Sequence, residues 1–120
     1  MSRNVSVNYE TEIGNYTKIM DNTHITGNMK IGNNVFISVL VASTNDNSMV
    51  RDYDAIEHLL EPVIEDNVTV GAGANLLQGV LVGENSIVGA GAIVTKNIPS
   101  GKVVMGFLQG LSGMYKLMPL

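Results

Sequence analysis

Few side chains in this sequence could take part in chemistry. The chain has no cysteine, which excludes thiol nucleophiles and thiolate metal ligands, and two histidines, His24 and His58. An imidazole could act as a general base. Asn45 and Asp46 form a polar pair that could orient a nucleophile by hydrogen bonds. Such residues are also frequent on inert surfaces, so their significance depends on the elements that carry them.

Two glycine–alanine stretches offer chemistry through the backbone. Both read GAGA, at residues 71–74 and 89–92. No bulky side chain covers the backbone there, so its N–H and C=O groups could bind an extended ligand. Small residues are also what the corners of a tightly wound repeat require. Both interpretations stay open at this point.

A repeat of six residues organises the chain. One apolar column begins at Ile64 and continues through Val70, Leu76, Val82, Val88 and Val94. A second inward column lies two places earlier, at Val68, Ala74, Val80, Ser86 and Ala92. The same register extends backwards through Val7, Ile13, Ile19, Ile25, Ile31 and Ile37. This period predicts short strands separated by corners, which is a β-solenoid.

A third column holds the corner residues. Three places after the apolar anchors come Asn67, Gly73, Gly79, Asn85, Gly91 and Asn97, and in the first half Asn22, Asn28 and Asn34. Glycine and asparagine enter the left-handed region at the least cost. Tyr16 and Leu40 interrupt this column.

The repeat register divides the chain into four parts of one all-β domain. Coils are expected at residues 7–44 and 62–99, because Ser43 stands where an apolar anchor is due and the register then stops. Residues 45–61 are expected to form a loop thrown out from one corner, in which Asp54–Leu60 could make one or two helical turns. Residues 100–120 are expected to cap the open end, with helical spacing of Phe107, Leu108, Leu111, Met114, Tyr115 and Met118.

Composition excludes several classes of function. The net charge is −4 and the seven Lys and Arg residues are scattered, which argues against nucleic-acid binding. No run of about 18 apolar residues exists to span a membrane. The N-terminal residues MSRNVSVNYE lack the apolar core of a signal peptide. We therefore expect a cytoplasmic protein.

Apolar residues are expected on the outer faces. Leu77, Leu81, Ile87 and Ile93 should point outward. Apolar outer faces indicate burial against another subunit, and a triangular cross-section favours a three-fold assembly.

Several segments resemble one known family. The sequences at 13–18 (IGNYTK), 19–24 (IMDNTH) and 31–38 (IGNNVFIS), with VGAGAN and VGAGAIVTKNIPSG later, resemble the hexapeptide-repeat acyltransferases. The similarity is greatest to the bacterial nucleotide-sugar N-acetyltransferases, through Ile19–Thr23, Thr44–Asn45 and Gly71–Ala74.

The resemblance implies a fold, a donor and an assembly. The fold would be a left-handed parallel β-helix, the acyl donor acetyl-CoA, and the assembly a homotrimer with active sites between subunits. The cofactor would contact Ala72, Gly73, Gly91 and Ala92, with Lys96 near its phosphates. No metal is implied.

The expected acceptor follows from where histidine is missing. Family members often carry a general-base histidine at places that correspond here to Gly27 and to residues 45–47. A neutral sugar amine is already nucleophilic, whereas a hydroxyl must lose its proton during attack. The sequence therefore favours an amino sugar, oriented by Asn22, Asn45 and Asp46, with His24 as a further catalytic candidate.

Three other functions remain open. The first is a sugar O-acetyltransferase. The second is a non-catalytic scaffold or regulatory subunit with this fold. The third is a zinc-dependent carbonic anhydrase on the same solenoid, which would need three histidine ligands where each chain has two histidines.

Overall fold

The computed structural model describes residues 1–44 and 61–106, together with the backbone of Met114–Lys116. Every regular element of this part of the chain is a strand. The fifteen strands are β1 Ser6–Val7, β2 Glu12–Ile13, β3 Lys18–Ile19, β4 His24–Ile25, β5 Lys30–Ile31, β6 Phe36–Ile37, β7 Ala42–Ser43, β8 Val63–Ile64, β9 Thr69–Val70, β10 Asn75–Leu76, β11 Leu81–Val82, β12 Ile87–Val88, β13 Ile93–Val94, β14 Lys102–Val104 and β15 Met114–Lys116.

Three sheets run along the molecule. The first sheet has the order β1-β4-β7-β10-β13, the second β11-β8-β5-β2, and the third β15-β14-β12-β9-β6-β3. From β1 to β10 each strand pairs in parallel with the strand three elements further along, so that three hexads complete one turn. The architecture is a parallel β-solenoid of about five turns, consistent with the left-handed β-helix that the resemblance implies.

The spacing of paired residues lengthens once, between β7 and β8, and shortens in the last coil, where Leu81 binds Asn97 across 16 residues. Asn15 binds Asn33 across 18 residues, but Asn33 binds Asp66 across 33. The extra residues lie between β7 and β8, where the sequence predicts its loop. Residues 45–60, including the possible helix at Asp54–Leu60, lie outside the described residues.

The two inward columns form the core, as the six-residue period predicts. Nineteen apolar side chains, from Ile19 to Val104, form one cluster, and each of them is at most 3% exposed. At the N-terminal end Val5, Val7 and Ile13 are only partly buried, because no coil lies beyond them among the described residues. The core is therefore sealed from the second coil onwards.

Polar residues of the inward columns bind the backbone of the adjacent coil. The Thr23 hydroxyl donates to the Ser38 carbonyl at 2.8 Å and accepts from the Val41 N–H at 3.3 Å. The Ser86 hydroxyl likewise donates to the Pro99 carbonyl at 2.9 Å. Both of these buried hydroxyls are thus hydrogen-bonded, which removes most of the cost of placing them in an apolar core.

Ser43 corrects the expectation that the repeat register fails there. It is a buried residue of β7, and its strand pairs with Leu76 in the normal register. Its hydroxyl accepts from the Thr26 N–H at 2.9 Å and donates to the His24 carbonyl at 3.1 Å. In the neighbouring rungs such an N–H binds a backbone carbonyl of the next coil, as Asn8 binds Ile25. A serine therefore occupies an apolar position because its hydroxyl replaces a backbone acceptor.

Substituting Ser43 by valine, although it restores the apolar column, is expected to lower the free energy of unfolding by about 1–3 kcal/mol. The buried Thr26 N–H would lose its partner. Ser43→Thr is the matched control, because threonine has the shape of valine and keeps the hydroxyl. Urea unfolding of both variants measures the difference, and equal stabilities would show that the hydroxyl is dispensable.

The corner column is more regular than the residue types indicate. Tyr16, with a φ of 61°, and Leu40, with a φ of 58°, adopt the left-handed conformation although neither is glycine or asparagine. The stacking of successive coils therefore imposes this conformation on any residue at the position. The prediction for Asn97 is wrong: its side chain instead accepts a hydrogen bond from the Leu81 N–H at 2.8 Å, and the positive φ angles near the end of the last coil are those of Gly101 and Gly106.

The C-terminal segment differs from the helical prediction where it is described. Met114–Lys116 form β15, which pairs antiparallel with β14 at the outer end of the third sheet. The free edge of β14 offers backbone hydrogen bonds to a strand, and this outweighs the helical spacing of the side chains. Phe107, Leu108, Leu111 and Met118 lie outside the described residues.

The outer faces carry some of the expected apolar side chains. Leu81 and Ile87 are exposed, as is Phe36, whereas Leu77 and Ile93 are half-buried. Among the described residues, no helix has the length and hydropathy needed to cross a membrane.

Candidate functional site

The three edges of the prism organise every candidate residue. We call edge 1 the border between the third and first sheets, edge 2 the border between the first and second, and edge 3 the border between the second and third. The corners on edge 1 are residues 3–4, 21–22, 39–40, 72–73, 90–91 and 105–106; those on edge 3 are 15–16, 33–34, 66–67, 84–85 and 100–101.

Five of the nine predicted site residues lie on or directly after edge 1. Asn22, Ala72, Gly73 and Gly91 are corner residues, and Ala92 follows the last of these corners. Backbone bonds tie them into one column, since the Gly91 N–H donates to the Ala72 carbonyl at 2.8 Å and the Gly73 N–H to the Val39 carbonyl at 2.9 Å. The two GAGA stretches are therefore stacked corners of adjacent coils.

The corner glycines are bare. An added Cβ would meet no atom within 4 Å at Gly73 or Gly91, and both have a positive φ, 72° and 71°. Ala92 is different, because its side chain is buried in the core and its N–H and C=O bind Gly89 and Asn75. A cofactor contact at edge 1 would thus involve Gly73 and Gly91 more directly than Ala92.

A row of backbone donors on edge 1 has no partner in the part of the chain that the structure describes. The N–H groups of Asp21, Val39, Ala72 and Ala90 form no hydrogen bond with any residue in 1–44 or 61–106. These residues hold the first corner position in four successive coils. Neighbouring coils are about 4.8 Å apart, so the four donors form a ladder of that spacing. The side chains of Ala72 and Ala90 are too small to cover it.

On edge 3 three such donors are capped by side chains, whereas the Asp66 N–H has no partner among residues 1–44 and 61–106. There the Asn15 N–H binds the Asn33 side-chain oxygen at 2.7 Å, and the Asn33 N–H binds the Asp66 carboxylate at 2.8 Å. Glu65 caps the Glu84 N–H at 3.1 Å. On edge 1 one cap exists, from Asp21 to the Arg3 N–H at 2.8 Å. In the coils above, the capping position holds Val39, Ala72, Ala90 and Met105, whose side chains have no oxygen to accept the bond.

His24 lies beside edge 1 on the outer face of the first sheet. It is half-buried, and its row on that face is Ser6, His24, Ala42, Asn75 and Ile93. Its N–H and carbonyl bind Val41 and Ser43, which leaves the imidazole as its free functional group. A base at this place could receive a proton from a substrate bound against the first sheet.

Of the remaining candidates, Lys96 lies on edge 2. Lys96 is exposed and follows β13, at the C-terminal end of the first sheet. Asn45 and Asp46 follow β7 in the chain, but they lie outside the described residues. The structure therefore gathers all described candidates on the first sheet and its two borders, with the charge of Lys96 in the last coil.

Asn75 was missed by the sequence reasoning. It is exposed in the same row as His24, and its amide donates to the Gly73 carbonyl at 3.3 Å. This bond fixes the corner that carries the bare glycine. The signal was present, since Asn75 precedes its apolar anchor by one place as His24 does, but the repeat alone does not show which rows share a face.

A shallow acidic groove lies on the opposite side, along the second sheet. It has a volume of about 330 Å³ and contains Glu12, Glu65, Asp66 and Glu84 around Lys30. Across the described ranges, no group of three or more histidines and carboxylates has the arrangement to hold a metal ion.

Comparison with known proteins supports the resemblance. Residues 61–96 match the family model of the bacterial transferase hexapeptide (six repeats). A Schizosaccharomyces pombe protein named as an acetyltransferase is 40% identical over 79 residues, which are 63% of this chain and 38% of that protein. The 2,3,4,5-tetrahydropyridine-2,6-dicarboxylate N-acetyltransferase of Staphylococcus aureus is 57% identical over 44 residues, 37% of this chain and 18% of that enzyme. The chain thus spans less than half the length of these relatives.

Solved structures share the fold. A hexapeptide-repeat acetyltransferase from Vibrio cholerae has a TM-score of 0.69 and 25% identity, covering 87% of this chain and 66% of its own. An N-acyltransferase from Bacillus cereus, solved with dTDP-4-amino-4,6-dideoxyglucose and coenzyme A, has a TM-score of 0.78 and 16% identity, covering 97% and 68%. The similarity to hexapeptide-repeat acetyltransferases inferred from the sequence is confirmed.

Proposed function

We propose that this hexapeptide-repeat protein is an acetyl-CoA-dependent acetyltransferase that acylates the amine of a nucleotide-linked amino sugar. The observation that carries the proposal is the ladder of unpaired N–H donors on edge 1 beside the bare corners at Gly73 and Gly91. An extended chain with amide carbonyls, such as the pantetheine arm of coenzyme A, has the acceptors that such a ladder needs. The match of residues 61–96 to the transferase hexapeptide model and the 40% identity to an acetyltransferase over 79 residues support the same assignment.

Charge orients the donor along the edge. Lys96 and Lys102 both belong to the last coil, where they would attract the phosphates of the nucleotide end. The arm would then run from the corner at Gly91 to the corner at Gly73 and onwards to Leu40 and Asn22. This order brings the thioester end towards the coils that carry Asn22 and His24.

The reaction needs little from the protein beyond position. Acetyl-CoA supplies an acyl group activated as a thioester. The amine nitrogen bonds to the acyl carbon, the carbon–sulfur bond breaks, and the amine's proton passes through solvent to the departing sulfur, which becomes the free thiol. Asn22, with Asn45 and Asp46, would hold the amine by hydrogen bonds. Holding two reactants together supplies a large part of the rate enhancement without a base.

O-acetylation is the second candidate, and His24 favours it. A hydroxyl acceptor must lose its proton as it attacks, and a half-buried imidazole beside edge 1 could take that proton. The amine is preferred because Gly27 and residues 45–47 offer no histidine. A scaffold without activity is the third outcome of the test below.

The proposed enzyme is a homotrimer with sites between subunits. Phe36, Leu81 and Ile87 are exposed on the outer faces of the second and third sheets, where a neighbouring subunit could cover them. Acceptor contacts would then come from a second subunit facing edge 1.

Release of free thiol is the direct test of this function. The chain has no cysteine, so each thiol detected during turnover must come from the cofactor. With acetyl-CoA and a panel of sugars, we expect release with amino sugars and none with their hydroxy counterparts. Turnover with hydroxy sugars, abolished by His24→Ala, would establish the O-acetyltransferase. Silence across the panel, with no CoA binding by calorimetry, would establish the scaffold.

A further inference from the structure

Leu40 is held in a conformation that leucine disfavours. Its φ is 58°, in the left-handed region, where a branched side chain crowds the backbone and glycine or asparagine does not. In the corner column of edge 1, Asn22, Gly73 and Gly91 meet this demand at low cost. Leu40 is therefore poorly suited to the positive φ that Asn22, Gly73 and Gly91 adopt easily.

Packing within the chain does not account for leucine at this place. The residue is 59% exposed, so its side chain gains little from the core. Its one backbone hydrogen bond, from its N–H to the Asp21 carbonyl at 3.0 Å, would be made by any residue except proline. Strained residues that the fold does not need are frequent at functional sites.

The position of Leu40 connects it to the donor ladder. The corner directly above it holds Ala72 and Gly73, and the Gly73 N–H donates to Val39, the residue before Leu40. Adjacent coils are about 4.8 Å apart, which is within reach of a leucine side chain. Leu40 is therefore the first large apolar side chain met on leaving the bare corners at Gly91 and Gly73.

We propose that Leu40 is a specificity residue whose exposed side chain packs against the thioester end of the acyl donor on edge 1. The inference rests on the function proposed above, and it adds a donor contact outside the glycine–alanine stretches. The N–H groups of Val39 and Ala72, which have no partner among residues 1–44 and 61–106, lie beside Leu40. Such donors fit the amide-bearing arm of a thioester donor.

Leu40→Asn separates this role from a structural one. Asparagine relieves the backbone strain, so the melting temperature is expected to rise by roughly 4 °C or more. The apolar contact is lost, so KM for acetyl-CoA is expected to rise roughly 5- to 15-fold. If Leu40 had only a structural role, the Leu40→Asn substitution would not raise both the melting temperature and KM.

Tyr16→Asn is the matched control. Tyr16 is 85% exposed with a φ of 61°, but it lies on edge 3, away from the ladder. This variant is expected to gain stability while KM for acetyl-CoA stays at the wild-type value. Leu40→Gly should repeat the behaviour of Leu40→Asn, since it also relieves strain and removes the apolar side chain.

Three results would overturn the proposal, and they differ in what else they affect. Wild-type protein that neither binds CoA nor releases thiol would remove the proposed function as well. Wild-type turnover with an unchanged KM in Leu40→Asn would remove only the role of Leu40. A loss of oligomers in Leu40→Asn by sedimentation, with KM following the oligomer, would assign Leu40 to a subunit contact.

Discussion

Ala90→Asn is expected to lower kcat/KM for acetyl-CoA by about 10- to 100-fold while the fold stays at least as stable. Ala90 is stacked on Ala72, whose N–H is part of the donor ladder. An asparagine at this place can cap the Ala72 N–H as Asn33 caps the Asn15 N–H on edge 3. Acetyl-CoA would lose its hydrogen bond to the Ala72 N–H, and the asparagine side chain would lie in the expected path of the pantetheine arm.

The structure has room for this cap. On edge 3 the Asn33 side-chain oxygen passes through the space where Gly14 would carry a Cβ. On edge 1 Gly71 precedes Ala72 in the same way and leaves the same space free. The new hydrogen bond should add about 1 kcal/mol to the free energy of unfolding.

Glu84→Asn is the control for this prediction. Glu84 holds the equivalent corner position of edge 3 and is stacked on Asp66, as the bond from the Asn85 N–H to the Asp66 carbonyl shows. An asparagine at position 84 would lie in the same coil as Ala90, but it would cap an N–H donor on edge 3 instead of edge 1. Thiol-release kinetics and urea unfolding of both variants decide the matter. Equal activity of Ala90→Asn and Glu84→Asn would show that edge 1 does not bind the donor.

Gly71→Ala is expected to be the most destabilising single methyl addition on edge 1, at about 3 kcal/mol or more. The added Cβ would lie 2.5 Å from the Ala90 nitrogen and 2.8 Å from the Gly89 carbonyl carbon. Both atoms are backbone of the adjacent coil, so no side chain can move aside. Separating the coils would break the bond from the Gly71 N–H to the Val88 carbonyl, 2.7 Å long.

Gly73→Ala provides the comparison. Its φ of 72° makes an alanine strained, at about 1–2 kcal/mol, but no atom lies within 4 Å of the added Cβ. The glycine with the positive φ should therefore tolerate substitution better than Gly71. Denaturant unfolding gives both free energies, and the reverse order would mean that the coils can separate at little cost.

Much of the fold could be predicted from the period of the sequence. Inward positions such as Ile37 and Val70 follow directly, because a solenoid with six residues per side has one place for each apolar column. The conformation of Leu40 and the burial of Ser43 could not be predicted in the same way. In both cases contacts with the adjacent coil override the preference of the residue itself.

The candidate site was predictable in its residues more than in its arrangement. Gly73 and Gly91 are repeats of one motif, so their stacking follows from a turn of 18 residues. The place of Asn22 in the same column was hidden, because the insertion after β7 changes the spacing to 33. The unpaired donors at Ala72 and Ala90 depend on which backbone groups the adjacent coil leaves free, and no residue type reports this.

The three-hexad turn also limits how such a chain can lengthen during evolution. Paired residues in uninterrupted coils are 18 apart, so duplication of 18 residues would add one coil and return every later residue to its own face. Duplication of a single hexad would instead rotate all later residues by one face, which would carry Ala90 and Gly91 away from the edge that Asn22 occupies. The residues of edge 1 thus stay in one column only if the chain grows by whole turns.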